Sequence, residues 1–288
     1  MILPSILQVS NYLLPLLVID NAANTCRCLY DEPCWPNENE FAKLASQLSK
    51  PVLHPLPPAS ACYPPSAPSG NCAYVIGNFT NSKWRSDQPG AMQSINFETY
   101  ELYNGHISAC HLDTTLGIPC GRGSIPPVGV DARSESDVQA AVNFAKQHNL
   151  KLVVKGTGHD FLGRSTARGG FLIWTHHMKQ TVYNPKFVPE GAPVTVENTF
   201  DGNFVLVFFS HFKWLIIPYI LAVTLGAGVQ WHEAYDFVEK HGRFMVGGSA
   251  TVGAAGGWVM GGGHGPFSPA FGLGTLPSFS FISLVLTR

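Results

Sequence analysis

The chain has 288 residues, of which 45% are hydrophobic, and it carries 18 Lys and Arg against 19 Asp and Glu. A chain of this length can bury a sizeable core in one large domain or two smaller ones. Its balanced charge lacks the basic excess that is typical of proteins that bind nucleic acids or anionic membranes. We therefore expect neither a nucleic-acid partner nor a membrane partner.

The N-terminal segment predicts secretion. Residues 1–23 are largely apolar and end in small residues near Ala22 and Ala23, which is typical of a cleavable signal peptide, although no Lys or Arg precedes the apolar stretch. Asn78, Phe79 and Thr80 form an N-glycosylation sequon, which agrees with an oxidising compartment. We expect the protein to be secreted or to enter the secretory pathway.

All seven cysteines lie within the first 120 residues: Cys26, Cys28, Cys34, Cys62, Cys72, Cys110 and Cys120. The run CRCLYDEPC resembles zinc-ligand spacing, but no matching Cys or His pair follows, so a disulfide framework is the better interpretation. An odd number leaves at least one thiol unpaired, unless one cysteine is lost with a leader. We predict a cysteine-rich N-terminal arm over residues 24–121, with a Pro-rich irregular stretch at 51–70.

The first clear secondary-structure signal begins at residue 134. The run SESDVQAAVNFAKQHN has a Ser-x-x-acid capping pattern and apolar residues at helical spacing, so it predicts an amphipathic helix. A short strand, Leu150 to Val154, follows, and then the glycine loop KGTGHDFLGRSTARGG. A second unit has the strand AVTLGAG and the helix WHEAYDFVEKHG, which Gly242 ends. Mixed α and β structure is the predicted class.

Two apolar segments fit this pattern poorly. Residues 201–221 carry Lys213 and Pro218 in their middle, so a buried strand pair is a better interpretation than a membrane span. Residues 275–288 are also apolar and lack an evident capping signal.

The glycine loops do not match the common nucleotide motifs. The first loop has no Gly-Lys-Ser/Thr, and Phe161 stands where a dinucleotide fingerprint requires its third glycine. The later stretch of residues 247–268 is richer in glycine than a turn requires, but Trp258 and Met260 are interleaved, which argues against a solvated linker. Such backbone can approach a flat or anionic group closely.

Several of these runs together resemble a known family. KGTGHDFLGRS, IWTHHMK, AVTLGAGVQWHEAYDF and TVGAAGGWVMGGGHGPFS are similar to fungal FAD-linked oxidoreductases of the berberine-bridge-enzyme-like branch. Their FAD-binding domain is of the p-cresol methylhydroxylase (PCMH) and vanillyl-alcohol-oxidase (VAO) type. The resemblance implies an α+β, two-subdomain PCMH-type fold over residues 122–288, without the C-terminal substrate domain of full-length relatives.

The resemblance also implies the cofactor and the residues that hold it. FAD would lie between the subdomains, with its diphosphate on the first glycine loop and a covalent bond to His159. The implied cofactor-binding residues are Gly156, Thr157, Gly158, His159, Asp160, Gly163, Ser165, Gly253, Gly256, Gly257, Gly262, Gly263 and His264. For Asp160 the sequence favours a local turn acceptor, and for Arg164 it leaves phosphate and solvent equally open.

The sequence departs from the family pattern in three respects. Ser249 stands where many relatives carry a second flavin-linking cysteine, so we expect attachment through His159 alone. The part of relatives that supplies the catalytic base lies beyond Arg288, so no catalytic residue is assigned. Residues 201–221 and 275–288 look unlike the family and are interpreted as translated intron sequence.

The predicted function is oxygen-dependent oxidation of a small alcohol, sugar or amine through covalent FAD. One alternative is a non-catalytic product that binds FAD weakly or not at all. A zinc-dependent hydrolase using His159, His176 and His264 is a weaker alternative, and no metal site is assigned. An adjacent pair on a strand points to opposite sides, so at most one of His176 and His177 can face the flavin.

Overall fold

The structure is a computed structural model that describes residues 26–63, 71–187, 220–243 and 245–274. Its helices are α1 (Glu38–Ala45), α2 (Cys72–Asn78), α3 (Ser82–Ser86), α4 (Glu135–Gln147), α5 (Trp231–Glu239) and α6 (Ser268–Phe271). Its strands are β1 (Val52–Leu53), β2 (Tyr100–Glu101), β3 (Ile107–Ser108), β4 (Val128–Asp131), β5 (Leu152–Lys155), β6 (Phe171–Trp174), β7 (Thr181–Phe187) and β8 (Ile220–Leu225). The predicted mixture of α and β structure is confirmed.

The central sheet has the strand order β1-β4-β6-β5. Strands β4, β6 and β5 run parallel, whereas β1 pairs antiparallel with β4 through Val52 and Val130. Every residue of β4 and β6 is buried, as is typical of parallel strands covered on both faces. Because β1 comes from the Pro-rich stretch, the predicted N-terminal arm supplies an edge strand of this sheet.

Helix α4 packs on one face of the sheet together with α1. Leu44, Phe144 and Ile173 belong to the buried cluster between them, while Leu172 and Trp174 belong to the cluster on the opposite face. A second unit, formed by the antiparallel β7–β8 pair and α5, follows β6 in the chain.

The second half of the predicted strand Leu150 to Val154 is correct, but its start is wrong. The Leu150 N–H donates to the Ala145 carbonyl at 2.8 Å, and Leu150 forms only an isolated bridge with Cys28, so it lies outside the strand of the central sheet. The strand therefore begins at Leu152 and extends to Lys155. This shift places Lys155, a buried residue, directly before the glycine loop.

The predicted cap of α4 is present and includes a buried carboxylate. Ser134 and Asp137 form a reciprocal capping box, and Asp137 also accepts hydrogen bonds from both the N–H and the hydroxyl of Ser49. Burial raises the pKa of Asp137, but hydrogen bonds from Ser49, Arg133 and Ser134 outweigh it and lower the pKa from 3.8 to about 2. Asp137 thus ties the segment after α1 to the start of α4.

We expect Asp137→Asn to destabilise the fold by roughly 2 kcal/mol at neutral pH, because the folded state holds the ionised carboxylate. The pKa is lowered on folding, so this contribution is present above pH 4 and is lost as the pH falls from about 4 to about 2. Urea unfolding as a function of pH measures it. Glu135→Gln, an exposed change in the same turn, is the control, and equal losses in the two variants would contradict the prediction.

Three disulfides join Cys28 to Cys34, Cys62 to Cys72, and Cys110 to Cys120, while Cys26 is free and exposed. The predicted disulfide framework with one unpaired thiol is therefore confirmed. Within the described residues the one group with metal-ligand spacing is Cys28, Glu32 and Cys34, and its two sulfurs are bonded to each other.

Some predictions fall outside the described residues. These include the signal peptide at 1–23 and most of the two atypical segments, namely residues 201–219 and 275–288. Ile220 and Leu221 begin β8. Among the described helices, none has the length and hydropathy that a membrane crossing requires.

Candidate functional site

The first glycine loop begins where β5 ends, and Gln93 fixes its backbone. The Gln93 N–H donates to the Gly158 carbonyl at 3.0 Å, and the Gln93 amide nitrogen donates to the Thr157 carbonyl at 3.3 Å. The C=O and N–H of a trans peptide point in opposite directions, so the N–H groups of Gly158 and His159 are turned away from Gln93. Neither N–H has a protein partner in the described part of the chain.

Gly158 makes this arrangement possible. Its φ of 85° lies in the region that L side chains rarely adopt, and it lets two successive carbonyls face the same side. A Cβ at this position would lie 3.0 Å from the Ala91 carbonyl oxygen. Two neighbouring free N–H groups of this kind form a concave anion-binding nest.

A cluster of buried charged residues, Lys155, Arg85 and Glu98, lies next to the first glycine loop. The ammonium group of Lys155 donates to the carbonyls of Gln88 and Ala91 at 2.7 and 2.8 Å, and burial lowers the pKa of Lys155 to about 7. Nearby, Arg85 forms a buried ion pair with Glu98. These contacts hold the segment of residues 88–93 in place, and Gln93 of this segment binds the carbonyls of the first loop.

The second glycine loop meets the first at Thr157. Gly253 pairs with Gln230 ahead of α5, and a Cβ at Gly253 would lie 3.9 Å from the hydroxyl of Thr157. Trp231 and Trp258 pack edge to face at 4.7 Å, and together with Val252 they form the apolar cluster under this loop. The apolar side chains interleaved among the glycines of residues 247–268 thus pack together in a small hydrophobic core.

The side chain of His159, a residue of the first loop, contacts the second loop. Its Nε2 is 3.0 Å from the Thr251 hydroxyl, which is in turn 2.7 Å from the Ser82 hydroxyl. Burial lowers the pKa of His159, and hydrogen bonding to the backbone of Thr251 acts in the opposite direction. The imidazole is therefore neutral at physiological pH, with a nitrogen lone pair available.

Asp160 and Arg164 bind each other. The Asp160 carboxylate accepts from the backbone N–H groups of Leu162 and Arg164 and from the Arg164 guanidinium. These bonds lower the pKa of Asp160, with the Arg164 side chain as the largest cause. The interpretation of Asp160 as a turn acceptor agrees with this geometry, and the Arg164 guanidinium closes the same turn.

The two adjacent histidines point to different partners. His176 is buried, stacks on Trp174, and lies 2.8 Å from Asp87, while His177 lies 2.7 Å from Asp131. Burial, and then Lys179, lower the pKa of His176 to about 4 despite Asp87. His176 is thus neutral at physiological pH.

The remaining predicted site residues differ in how open their surroundings are. A Cβ at Gly257 or Gly262 would meet no heavy atom within 4 Å, so space is open beside them. Gly256 is exposed, while Gly263 is buried and donates to the Trp258 carbonyl. Gly163 and Ser165 lie in the Asp160 turn, and His264 is exposed.

The metal-ligand geometry for a zinc site is absent from the described residues at these histidines. His159, His176 and His264 form no group whose ligand atoms come within reach of one ion. Each of the first two is paired with a different side chain, Thr251 and Asp87 respectively.

Comparison with known proteins identifies the domain. Residues 126–197 match the family described as FAD binding domain. This part of the chain therefore contains an FAD binding domain. An uncharacterized FAD-linked oxidoreductase of Arthroderma benhamiae is 42% identical over 251 residues, which are 87% of this chain and 39% of that protein.

A solved structure shows the same fold. The VAO-type flavoprotein MtVAO615 from Myceliophthora thermophila aligns with a TM-score of 0.66 and 30% identity over 86% of this chain and 40% of its own. The VAO-type flavoprotein oxidase VAO615 of Thermothelomyces thermophilus is 32% identical and is likewise covered to 39%. The predicted VAO- and PCMH-type fold is confirmed, and the chain spans about two fifths of these FAD-linked relatives.

The first glycine loop fits the diphosphate of FAD, because the free N–H groups of Gly158 and His159 suit an anion. Sequence analysis did not identify Gln93, Ser82 and Thr251, the three residues whose hydrogen bonds lead to His159. Thr251 could have been found by its place in the second loop, but the stretch that contains Ser82 and Gln93 has no motif.

Proposed function

We propose that this chain is the flavin domain of an FAD-dependent oxidoreductase, with the FAD diphosphate on the first glycine loop. The observation that carries the proposal is the pair of Gln93 hydrogen bonds, which turn the N–H groups of Gly158 and His159 to the same free side. The predicted residues of both loops would hold the cofactor: Gly156, Thr157, Gly158, Asp160, Gly163 and Ser165 in the first, and Gly253, Gly256, Gly257, Gly262, Gly263 and His264 in the second.

We further propose that His159 bonds covalently to the 8α carbon of FAD. Its lowered pKa keeps the imidazole neutral, which a nucleophile requires. In the net step an imidazole N–H and a methyl C–H are replaced by one C–N bond, and dioxygen takes up both hydrogens as hydrogen peroxide. Ser249 in place of a linking cysteine leaves His159 as the single point of attachment.

The proposed reaction is oxidation of a small alcohol, sugar or amine by dioxygen. When bound, FAD would accept a hydride from the substrate carbon and pass the electrons to oxygen. The chain's own residues bind the diphosphate, orient the ring and shield one side of it. The three disulfides support a secreted location.

Spectroscopy of the purified full chain tests the proposal. We expect a yellow protein whose flavin absorbance remains in the pellet after acid precipitation, because the link is covalent. Colourless protein that added FAD cannot reconstitute would favour a non-catalytic product. Colourless protein with stoichiometric zinc would favour a metal-dependent hydrolase.

A further inference from the structure

We propose that Gln93, Ser82 and Thr251 are positioning residues that hold His159 in the Nε2–H tautomer and leave Nδ1 as the nitrogen that bonds to FAD. The three side chains connect in one line, from the amide of Gln93 through two hydroxyls to the imidazole. The proposal rests on the proposed function for the role of Nδ1, whereas the tautomer itself is a property of the protein alone.

The direction of the line is set at Gln93. Its amide nitrogen lies 3.0 Å from the Ser82 carbonyl and 3.3 Å from the Thr157 carbonyl, and carbonyl oxygens only accept hydrogen bonds. The nitrogen must therefore face these carbonyls. The amide oxygen is then the atom that lies 2.8 Å from the Ser82 hydroxyl.

Each later hydrogen bond follows from the previous one. The amide oxygen of Gln93 can only accept, so the single hydroxyl proton of Ser82 goes to it. Ser82 then has no proton left for Thr251, and the 2.7 Å contact between them uses the Thr251 proton. The 3.0 Å contact between Thr251 and Nε2 is left with one possible donor, the N–H of His159.

A neutral imidazole with its proton on Nε2 has its lone pair on Nδ1. Nδ1 has no hydrogen-bond partner among the described residues, and it is not one of the fully buried unpartnered atoms. The nitrogen with the lone pair is thus the one that an outside group can reach. Burial, which lowers the pKa of His159, keeps the ring neutral as this argument requires.

Ser82→Ala tests the direction of the line. Without Ser82 the Thr251 proton loses its acceptor, and the hydroxyl can turn to donate to Nε2, which moves the imidazole proton to Nδ1. We expect the ratio of Nε2–H to Nδ1–H to fall by about fivefold, the worth of one hydrogen bond. The nitrogen-15 shifts of His159, assigned by their absence in His159→Gln, report the tautomer in full-length protein without FAD.

Ser86→Ala is the matched control. The Ser86 hydroxyl is also buried and also receives a hydrogen bond from the Gln93 amide nitrogen, but it lies outside the line to His159. We expect Ser86→Ala to leave the tautomer unchanged, and Thr251→Ser, which keeps the hydroxyl, to do the same. If both Ser82→Ala and Ser86→Ala lower stability similarly but only the first moves the proton, a purely structural role for Ser82 is excluded.

A wild-type protein in the Nδ1–H form, or a Ser82→Ala protein with an unchanged tautomer, would overturn the proposal. Adding FAD distinguishes failure of the tautomer proposal from failure of the proposed function. Protein with the expected tautomers that never takes up flavin would contradict the proposed function alone. Where FAD binds, covalent attachment in Ser82→Ala is expected to be about fivefold slower than in Ser86→Ala, since the reactive lone pair is less populated.

Discussion

His159→Ala is expected to abolish acid-stable flavin completely. The imidazole is the single side chain proposed to bond to FAD, and Ser249 offers only a hydroxyl in place of a thiolate. The diphosphate contacts of the first loop use backbone N–H groups, so FAD should still bind to this variant reversibly. Absorbance and fluorescence of the acid pellet and of its supernatant measure the two forms of flavin.

His106→Ala is the control for this change. The His106 side chain is exposed in the connection between β2 and β3 and has no part in the proposed attachment. We expect this variant to retain covalent flavin stoichiometric with the chain. Covalent flavin that persists in His159→Ala would show that another residue forms the link.

Arg85→Met is expected to lower the free energy of unfolding by about 3–5 kcal/mol, more than the other single substitutions considered. The reason is that it leaves the buried carboxylate of Glu98 without its partner. The side chains of Arg85 and Glu98 are 2% and 9% exposed, and Arg85 also donates to the carbonyls of Phe79 and Met92. Burial raises the pKa of Glu98, which Arg85 counteracts. Chemical unfolding of the full chain measures the loss.

Arg164→Met is the matched control, because its ion pair with Asp160 lies at the surface, where such pairs contribute at most about 1 kcal/mol. Adding Glu98→Gln to Arg85→Met should recover part of the loss, since the uncompensated charge is then removed. Equal losses for Arg85→Met and Arg164→Met would contradict the prediction. Should Arg85→Met fail to fold, Glu98→Gln alone against Asp160→Asn provides the same comparison.

Features that depend on local sequence could be predicted. The capping pattern at Ser134 and the apolar spacing that follows it specify α4, and Gly242, with a φ of 65°, ends the turn after α5. Gly158 has a φ of 85°, and a Cβ there would lie 3.0 Å from the Ala91 carbonyl oxygen, so the first loop requires a glycine at this position. The disulfide framework followed from the number and location of the cysteines.

Features that depend on distant residues could not be predicted. Strand β1 is two residues long within a Pro-rich stretch, and it forms only because β4 offers an edge to pair with. The last two contacts of the line from Gln93 to His159 join residues that are 169 and 92 positions apart in the chain. No periodicity or motif connects such segments, so their contacts become visible only in the folded chain.

Mass spectrometry of the tryptic peptide from Gly156 to Arg164 tests the account most directly, since trypsin cuts after Lys155 and Arg164 and isolates the whole candidate attachment loop. We predict that His159 carries the mass of FAD less two hydrogens, as the net bond formation requires. An unmodified peptide from protein that retains flavin, or the same mass on a different residue, would contradict the account.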